Sequence, residues 1–459
     1  MFGDTLTHFR RRLAGASPST LNLYAIACAF VTYFCMYAFR KPFSAATYEG
    51  LTDPWGGELK TTLVISQIVG YAASKFLGIG IVSATTRRQR VALLVGLIVM
   101  AELALVLLAL APMDQPLLRV GAMFLNGLPL GMVWGLVILY LEGRQTSELM
   151  MAGLSSSYIV SSGIVKDVGR ALIPGESIPL VGLSLPNPFP AMSEFWMPAA
   201  TGLLFMPVFL VAVWLLDQLP DPNVQDQAER CERTAMQSSD RWLFLRTFWP
   251  GIVTALAAYF LITAHRDYRD NYMVDILAEM GYSYASDKTA ISRTELWVAA
   301  GVLVIYGSLF KLRSNRLGLT ALYVVIGSGL ALMAGSTLLY QAKGINGFWW
   351  LTLLGLGGYL AYVPFGSMLF ERILAQTRFV GTAVFGIYLA DSIGYCGSIS
   401  SQLVRDRLFS HFTRGEFLAG LALLTSALGL VLLGGSGWYF LASGPRSGHN
   451  SLTSAGKAP

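Results

Sequence analysis

The sequence predicts an all-α membrane protein with twelve transmembrane helices in two pseudo-symmetric six-helix bundles. Of its 459 residues, 54% are hydrophobic and only 13% are charged, whereas soluble domains have about a quarter of their residues charged. The apolar residues also occur in blocks of about 20, the length of α-helix that crosses a hydrocarbon core of about 30 Å. The lipid bilayer is therefore the expected surrounding of this chain.

Apolar blocks separated by polar segments define the predicted spans, which are numbered one to twelve in chain order. The first six lie near residues 21–43, 60–83, 91–111, 117–141, 149–171 and 195–216. The other six lie near residues 250–278, 294–311, 317–340, 347–370, 379–404 and 416–441. The first block runs into Arg40 and Lys41 without a small-residue cleavage site, which indicates a retained span and not a signal peptide.

The longest polar stretch separates the sixth and seventh spans. Residues 217–249 are predicted to form a cytoplasmic linker between an N-terminal bundle, residues 1–216, and a C-terminal bundle, residues 250–441. Residues 442–459 are predicted to form a cytoplasmic tail. Two six-helix halves joined in this way are typical of the major facilitator superfamily, whose halves are repeats about an axis along the membrane normal.

Similar residues also recur at equivalent positions in the two halves of the sequence. Tyr33 and Arg40 in the first span recur as Tyr259 and Arg266 in the seventh, with the same spacing of seven residues. The Leu-Tyr-Leu-Glu that ends the fourth span is echoed by Met-Leu-Phe-Glu near the end of the tenth. Two similarities between equivalent spans indicate internal duplication.

Basic residues in the short loops predict the orientation. The loops after spans two, four, eight and ten carry Arg87, Arg88, Arg90, Arg144, Lys311, Arg313, Arg316, Arg372 and Arg378. By the positive-inside rule this side is cytoplasmic, and so are both termini, although the segment from Arg405 to Arg414 is an exception. We expect a monomeric, multi-pass protein of a bacterial inner membrane. Because its net charge of +6 follows topology, nucleic acid is not an expected partner.

The sequence contains no arrangement of residues that indicates catalysis or metal binding. Its four histidines and four cysteines are scattered, without an HExxH or CxxC pattern. We therefore predict no catalytic residues, no metal site, no cofactor and no enzymatic activity.

Ionisable residues within apolar blocks mark candidate sites, because a charge in hydrocarbon is costly. Arg40 and its equivalent Arg266 are predicted to project between the bundles and to bind a phosphate or carboxylate through two hydrogen bonds. Alternatively, both lie at the outer membrane surface, where they reach lipid headgroups or pair with acids such as Asp267 and Asp270. Arg269, one turn further along, is a rival to Arg266.

The second span carries a polar stripe in which Gln67 and Tyr71 precede Lys75. A stripe facing a cavity explains these residues, and pairing of Lys75 with a structural carboxylate is the alternative. Asp391, alone within the eleventh span, has three open roles: that carboxylate, a proton carrier, or a hydrogen-bonding group between helices.

Two acidic residues lie at cytoplasmic span ends beside the arginine-rich loops. Charge pairs at these ends are predicted to latch an inner gate, a structural and not a catalytic role. The predicted gating residues are Arg87, Arg88, Glu142, Arg144, Glu371 and Arg372.

Three stretches resemble the organophosphate:phosphate antiporters of the major facilitator superfamily. Residues 37–43 read Tyr-Ala-Phe-Arg-Lys-Pro-Phe, residues 71–78 read Tyr-Ala-Ala-Ser-Lys-Phe-Leu-Gly, and the fourth span contains Phe-Leu-Asn-Gly followed by Gly-Met-Val-Trp. The resemblance implies that Arg40 and Arg266 bind phosphate and that Lys75 is the matching lysine of the second span. The family's histidine on the fifth span has no counterpart, since Tyr158 to Val160 occupy that region.

We therefore expect a secondary transporter that moves a small organic anion, a phosphorylated or carboxylated metabolite, by alternating access. A proton-coupled transporter of a neutral solute such as a sugar, with Asp391 as proton carrier, is one alternative. A non-transporting ligand sensor with the same fold is another. The candidate substrate-binding residues are Tyr37, Arg40, Gln67, Tyr71, Lys75, Arg266 and Arg269.

Overall fold

A helix occupies each of the twelve predicted spans in the computed structural model, which describes residues 9–13, 15–141, 144, 147–180, 182–221, 238–309, 312, 314–379 and 383–442. The N-terminal half contains α1 (Pro18–Ala38), α2 (Leu59–Ala84), α3 (Arg87–Leu110), α4 (Pro116–Leu141), α5 (Ser147–Leu172) and α6 (Met197–Asp217). The C-terminal half contains α7 (Ser238–Glu279), α8 (Ala290–Leu309), α9 (Asn315–Gln341), α10 (Gly347–Tyr362), α11 (Leu369–Thr377), α12 (Ala383–Leu408) and α13 (Arg414–Ala442).

The helices have the length and composition that a bilayer requires. Within the described residues, nine of them are long and apolar enough to cross a membrane. The three other predicted spans are α2, α5 and α12, each 26 residues long, which corresponds to about 39 Å at 1.5 Å per residue. The protein is therefore an all-α membrane protein, as predicted.

The two halves repeat one packing scheme. In the N-terminal half α4 packs against α2 and α3, α1 against α5 and α6, and α3 against α6. In the C-terminal half α10 packs against α8 and α9, α7 against α12 and α13, and α9 against α13. Each of these five pairs of the first half thus has its counterpart in the second, which confirms the predicted pseudo-symmetry. The halves meet where α5 packs against α8 and α2 against α12.

Two helices end earlier than predicted, and proline explains both differences. α1 ends at Ala38 and not near residue 43, and a 3-10 turn follows at Pro42–Ala45. α10 ends at Tyr362, where a 3-10 turn with Pro364 separates it from α11. Proline has no N–H for the helical hydrogen bond and restricts the residue before it. Arg40 and Lys41 consequently lie in a turn after α1.

Two further differences lie in the connecting segments. A short antiparallel hairpin, β1 (Ile178–Leu180) and β2 (Leu183–Leu185), occupies the proline-rich segment between α5 and α6. α7 begins at Ser238 and not at residue 250, with non-helical dihedral angles at Phe248. Part of the predicted linker is therefore helical. Residues 222–237 of that linker and the predicted tail from residue 443 lie outside the described residues.

Helices α2 and α4 approach closely through two glycines. A Cβ atom on Gly70 would lie 2.2 Å from the carbonyl oxygen of Phe124, and one on Gly127 would lie 2.2 Å from that of Gln67. Both distances are far below van der Waals contact. The glycines therefore allow the two backbones to touch, as small residues do between membrane helices.

Replacing Gly127 by alanine is expected to lower the free energy of unfolding by about 1–3 kcal/mol, because the added methyl group forces α2 and α4 apart. Gly121→Ala in the same helix is the matched control, since no atom beyond the adjacent backbone of its own helix lies within 4 Å of the position of its Cβ. Thermal unfolding of the two purified variants in detergent measures the difference. Equal unfolding temperatures would contradict the close approach at Gly127.

Candidate functional site

A cavity lies between the two halves, with walls from both. Its volume is about 670 Å³ including its opening to solvent. The N-terminal half contributes the aromatic side chains of Tyr33, Tyr37, Tyr71, Trp134 and Tyr158, and the C-terminal half those of Tyr362 and Tyr395. The charged lining residues are Arg40, Lys75, Arg266, Asp267 and Asp391. Three cations and two carboxylates give the lining a net charge of +1.

Arg40 lies in this cavity without a carboxylate partner among the described residues. Its Cζ atom lies 3.9 Å from the centre of the Tyr71 ring and 5.7 Å from that of Tyr37. The side chain is buried, and its Nε atom has no hydrogen-bond partner. Contact with aromatic faces stabilises a cation in part, but it leaves the guanidinium without a counterion.

A hydrogen-bond network fixes the turn that carries Arg40. Gln67 Nε2 donates to the Arg40 carbonyl oxygen at 2.9 Å and to Asn126 Oδ1 at 2.7 Å. Asn126 Nδ2 in turn donates to the carbonyl oxygens of Phe39 and Ala101, each at 3.0 Å. The end of α1 leaves carbonyl groups without helical partners, and these amides satisfy them. Gln67, a predicted substrate ligand, therefore positions Arg40 and is not part of the cavity lining.

The two arginine candidates of α7 have different surroundings. Arg266 lines the cavity, but its Nη2 atom lies 2.9 Å from Asp267 Oδ1. Pairing with a neighbouring acid, the alternative considered for Arg266, is thus present. Arg269 does not line the cavity, and its Nη1 atom lies 2.7 Å from Glu295 Oε1 in α8. The structure brings Arg266 and not Arg269 to the cavity.

Lys75 and Asp391 meet inside the cavity. Lys75 Nζ on α2 lies 3.3 Å from Asp391 Oδ2 on α12, so the ion pair joins the two halves. The hydroxyl of Tyr259 also donates to Asp391 Oδ1, at 3.4 Å. Lys75 therefore pairs with a carboxylate, the alternative that the sequence left open, and it still lines the cavity.

The predicted inner gate is described only in part. Glu142 lies outside the described residues, and Arg88 is exposed. Glu371 lies in the first turn of α11. The predicted pairing of these acidic residues with the arginine-rich loops stays a prediction.

The other predicted gating residues make their contacts within their own half of the chain. Arg87 pairs with Asp221 and donates to the Asp217 carbonyl at 3.0 Å. Arg144 donates to the carbonyl oxygen of Pro220. Arg372 donates to Asn315 Oδ1 at 3.0 Å and to the Leu312 carbonyl at 3.2 Å. Arg87 and Arg144 thus fix the segment after α6, and Arg372 fixes the segment before α9.

An ion cluster that sequence reasoning missed joins the halves at the end where α1 finishes, here named the sealed end. Asp270 of α7 lies 2.5 Å from Lys41 Nζ and 2.7 Å from Lys166 Nζ. Lys41 also donates to Asn271 at 2.9 Å. The side chains of the three charged residues are at most 5% exposed. Lys41, Lys166 and Asp270 are named the clasp.

Further contacts between the halves surround the clasp. Lys60 Nζ lies 2.6 Å from Asp275 Oδ2. Asp167 accepts a hydrogen bond from the Ser292 amide at 2.7 Å. Glu58 pairs with both Arg405 and Arg414. All of these lie at the sealed end, which is the predicted outer side, so ion pairs and hydrogen bonds hold the two halves together there.

Comparison with known proteins supports the fold but does not identify a substrate. No curated protein matches the sequence. Among solved structures, the crystal structure of a mutant of the nucleoside transporter NupG matches with a TM-score of 0.57 and 12% identity, covering 92% of this chain and 100% of that chain. This likeness shows the fold alone and agrees with the predicted major facilitator fold. The organophosphate antiporter group, the bacterial inner membrane, the cytoplasmic termini and the monomer stay predictions.

A family assignment follows from the length of chain that matches. Residues 42–443 match the family described as "Family of unknown function (DUF5690)". The matched region extends from the turn after α1 through α13 and includes every charged residue of the cavity except Arg40. This multi-pass α-helical membrane protein with a transporter fold therefore belongs to the family of unknown function DUF5690.

Proposed function

We propose that this protein is a secondary transporter that moves a small organic anion, a phosphorylated or carboxylated metabolite, by alternating access. The main support for this proposal is the guanidinium of Arg40, which lies in the cavity between the halves and has no carboxylate partner in the part of the chain that the structure describes. A buried cation without a counterion is costly, so an anion that enters the cavity is stabilised by it. Arginine also matches the planar geometry of carboxylate and phosphate oxygens with two parallel donors.

The remainder of the lining supports an anion that carries a ring or another flat group. The net charge of +1 favours one unbalanced negative charge. Seven aromatic side chains supply flat, largely apolar walls with polar hydroxyl and indole groups. Phosphate esters of sugars and carboxylic acids with a ring combine both features.

The ion pairs at the sealed end support the proposal of alternating access. The clasp and its surrounding ion pairs connect the turn after α1, the start of α2, and α5 to α7, α12 and α13. For the cavity to be exposed at this end, these contacts between the halves must break. Rocking of two repeats around a central site is the usual motion of such folds.

A proton-coupled transporter of a neutral solute is a second candidate. Arg266 pairs with Asp267 and Lys75 with Asp391, so most cavity charges are balanced within the protein. Nucleosides, the solutes named for the similar structure, are neutral molecules with flat rings. A ligand sensor, the third possibility, would bind a solute without moving it.

Thermal unfolding of the purified protein with matched solutes tests the proposal. The pairs are glucose 6-phosphate with glucose, benzenesulfonate with benzyl alcohol, and succinate with butanediol, and adenosine represents the nucleosides. We expect anionic members to raise the unfolding temperature and their neutral partners to have no effect, since a ligand that binds the folded state stabilises it.

Counterflow of the labelled anions in proteoliposomes then separates transport from sensing. Stabilisation by glucose or adenosine, without an effect of any anion, would reject the anion proposal in favour of the second candidate. Stabilisation by an anion without counterflow would identify a sensor.

A further inference from the structure

The first turns of α7 extend beyond the hydrocarbon core of a bilayer. α7 has 42 residues and is therefore about 63 Å long at 1.5 Å per residue, about twice the thickness of a hydrocarbon core. Asp270, in the last third of the helix, belongs to the sealed end, so residues 238–249 lie at the opposite end. This first segment of α7 consequently lies in the headgroup region of the membrane.

One face of this segment packs against the protein through aromatic side chains. Phe244 and Phe248 are each 3% exposed. The Phe244 ring centre lies 5.2 Å from that of Phe379, and the Phe248 ring centre lies 6.3 Å from that of Phe440 in α13. These contacts hold the segment against the C-terminal half and fix which of its side chains point away from the protein.

Two tryptophans and an arginine are exposed on the same segment. Trp242 is 67% and Trp249 is 61% exposed, and Arg246 between them is also exposed. Residues three and four positions apart are neighbours on a helix surface, and indole rings are typical of the headgroup level of a membrane. The Arg246 side chain has no ion pair or hydrogen bond within the described residues. The segment thus displays a cation between two exposed indole rings.

The N-terminal half places an arginine in a similar position but neutralises it. Arg10, which precedes α1, lies with its Nη2 atom 3.0 Å from Asp217 Oδ2 at the end of α6. By the repeat of the packing scheme, α13 is the counterpart of α6. Residues 417–459, which include nearly all of α13, contain no acidic residue. The C-terminal half therefore has no counterpart of Asp217, and the anion for Arg246 has to come from outside the protein.

We propose that Trp242, Arg246 and Trp249 form a binding site for one anionic phospholipid, here named the lipid site. The Arg246 guanidinium donates two hydrogen bonds to the lipid phosphate. The indole rings pack against the glycerol and the first methylene groups of the acyl chains, where an apolar ring with a polar N–H is best accommodated. A lipid with a net negative charge fits because the site itself carries one positive charge and no carboxylate. The lipid site lies outside the cavity and does not depend on the proposed transport.

Native mass spectrometry of the purified full-length protein in detergent tests the lipid site. The protein is titrated with phosphatidylglycerol or with phosphatidylcholine of identical acyl chains, and the dissociation constant of the first bound lipid is measured. We expect phosphatidylglycerol to bind about fivefold more tightly than phosphatidylcholine, the factor that corresponds to about 1 kcal/mol for one arginine beside an anionic headgroup.

Arg246→Gln is expected to abolish the preference for phosphatidylglycerol, because glutamine has no charge, whereas Arg246→Lys keeps the charge and most of the preference. Arg10→Gln is one matched control, since Asp217 already supplies the anion for Arg10. Arg316→Gln is the other. Arg316 is exposed at the start of α9, at the same end of the protein, and residues 310–322 contain no tryptophan. Both control variants are expected to keep the fivefold preference.

The contribution of the indole rings is measured separately. Trp242→Ala combined with Trp249→Ala is expected to weaken the binding of both lipids to a similar extent, because the rings contact the part that the two lipids share. Trp297→Ala is the control, since Trp297 is 59% exposed on α8 towards the sealed end. Its replacement is expected to leave the affinity of the first bound lipid unchanged.

Three results would overturn the lipid site. Equal affinities of the unaltered protein for the two lipids would show that the exposed face takes up lipid without regard to charge. An unchanged preference in Arg246→Gln would exclude this arginine as the ligand. An equal loss of preference in Arg316→Gln would show only general attraction of basic residues to an anionic lipid. Each result leaves the proposed anion transport intact, because solute binding to the cavity is measured with soluble anions.

Discussion

Replacing Arg40 by glutamine is expected to weaken the binding of anionic solutes by a factor of about 30 to 4,000. Removing one partner of a buried, hydrogen-bonded charge pair costs about 2–5 kcal/mol, and each 1.4 kcal/mol is a factor of about ten. Glutamine keeps a polar side chain but has neither the charge nor the paired donors. Equilibrium binding of labelled glucose 6-phosphate and benzenesulfonate to the purified variant measures the loss.

Arg119→Gln is the matched control for this variant. Arg119 is also buried and has no carboxylate partner in the described part of the chain, and its Cζ atom lies 3.9 Å from the Phe195 ring centre. It does not line the cavity, so anion affinity should be unchanged. Arg40→Lys should bind with intermediate affinity, because lysine keeps the charge without the planar pair of donors. Equal affinities of the Arg40→Gln and Arg119→Gln variants would remove Arg40 as the anion ligand.

The positions of the spans could be predicted because the bilayer constrains them so strongly. Backbone N–H and C=O groups in hydrocarbon must form their hydrogen bonds within the helix. Each apolar block of sufficient length therefore forms a helix. The ends were less predictable. The first predicted span extended past Pro42 and the tenth past Pro364, whereas the helices stop at Ala38 and Tyr362. The hairpin at Ile178–Leu185 had no alternating pattern strong enough to predict it.

The cavity residues were predictable to the extent that a charge in an apolar block needs a polar surrounding. Arg40, Lys75, Arg266 and Asp391 were identified on that ground, and the structure brings all four to one cavity. Sequence spacing does not give the rotation of each helix about its axis. For this reason the sequence could not show that Arg269, one turn from Arg266, contacts α8 and not the cavity.

The ion pairs between the halves could not be predicted from the sequence. Lys166 and Asp270 are separated by 104 positions, and no local pattern relates two residues so far apart. Lys41 and Asp270 were both visible as charges near span ends, but Asp270 was considered only as a partner of Arg266. Only the packing of α5 against α8 and of the turn after α1 against α7 brings the clasp together.

Replacing Asp270 by asparagine is expected to lower the free energy of unfolding by about 3–5 kcal/mol, the cost of removing one partner from a buried ion pair. Both Lys41 and Lys166 lose their carboxylate, and their side chains are 5% and 1% exposed, so water does not replace it. Denaturant and thermal unfolding in detergent measure the change. Asp287→Asn is the control, because its partner Arg293 is half exposed and surface pairs contribute under about 1 kcal/mol.

A triple variant separates the charges of the clasp from its packing. With Lys41→Met and Lys166→Met added to Asp270→Asn, no uncompensated charge is left, and buried ion pairs replaced by apolar groups often lose little stability. We therefore expect the triple variant to recover most of the stability lost by Asp270→Asn alone. If Asp270→Asn were as stable as Asp287→Asn, the clasp would not hold the sealed end by charge. If the triple variant were less stable than Asp270→Asn, packing of the lysine side chains would be the dominant contribution.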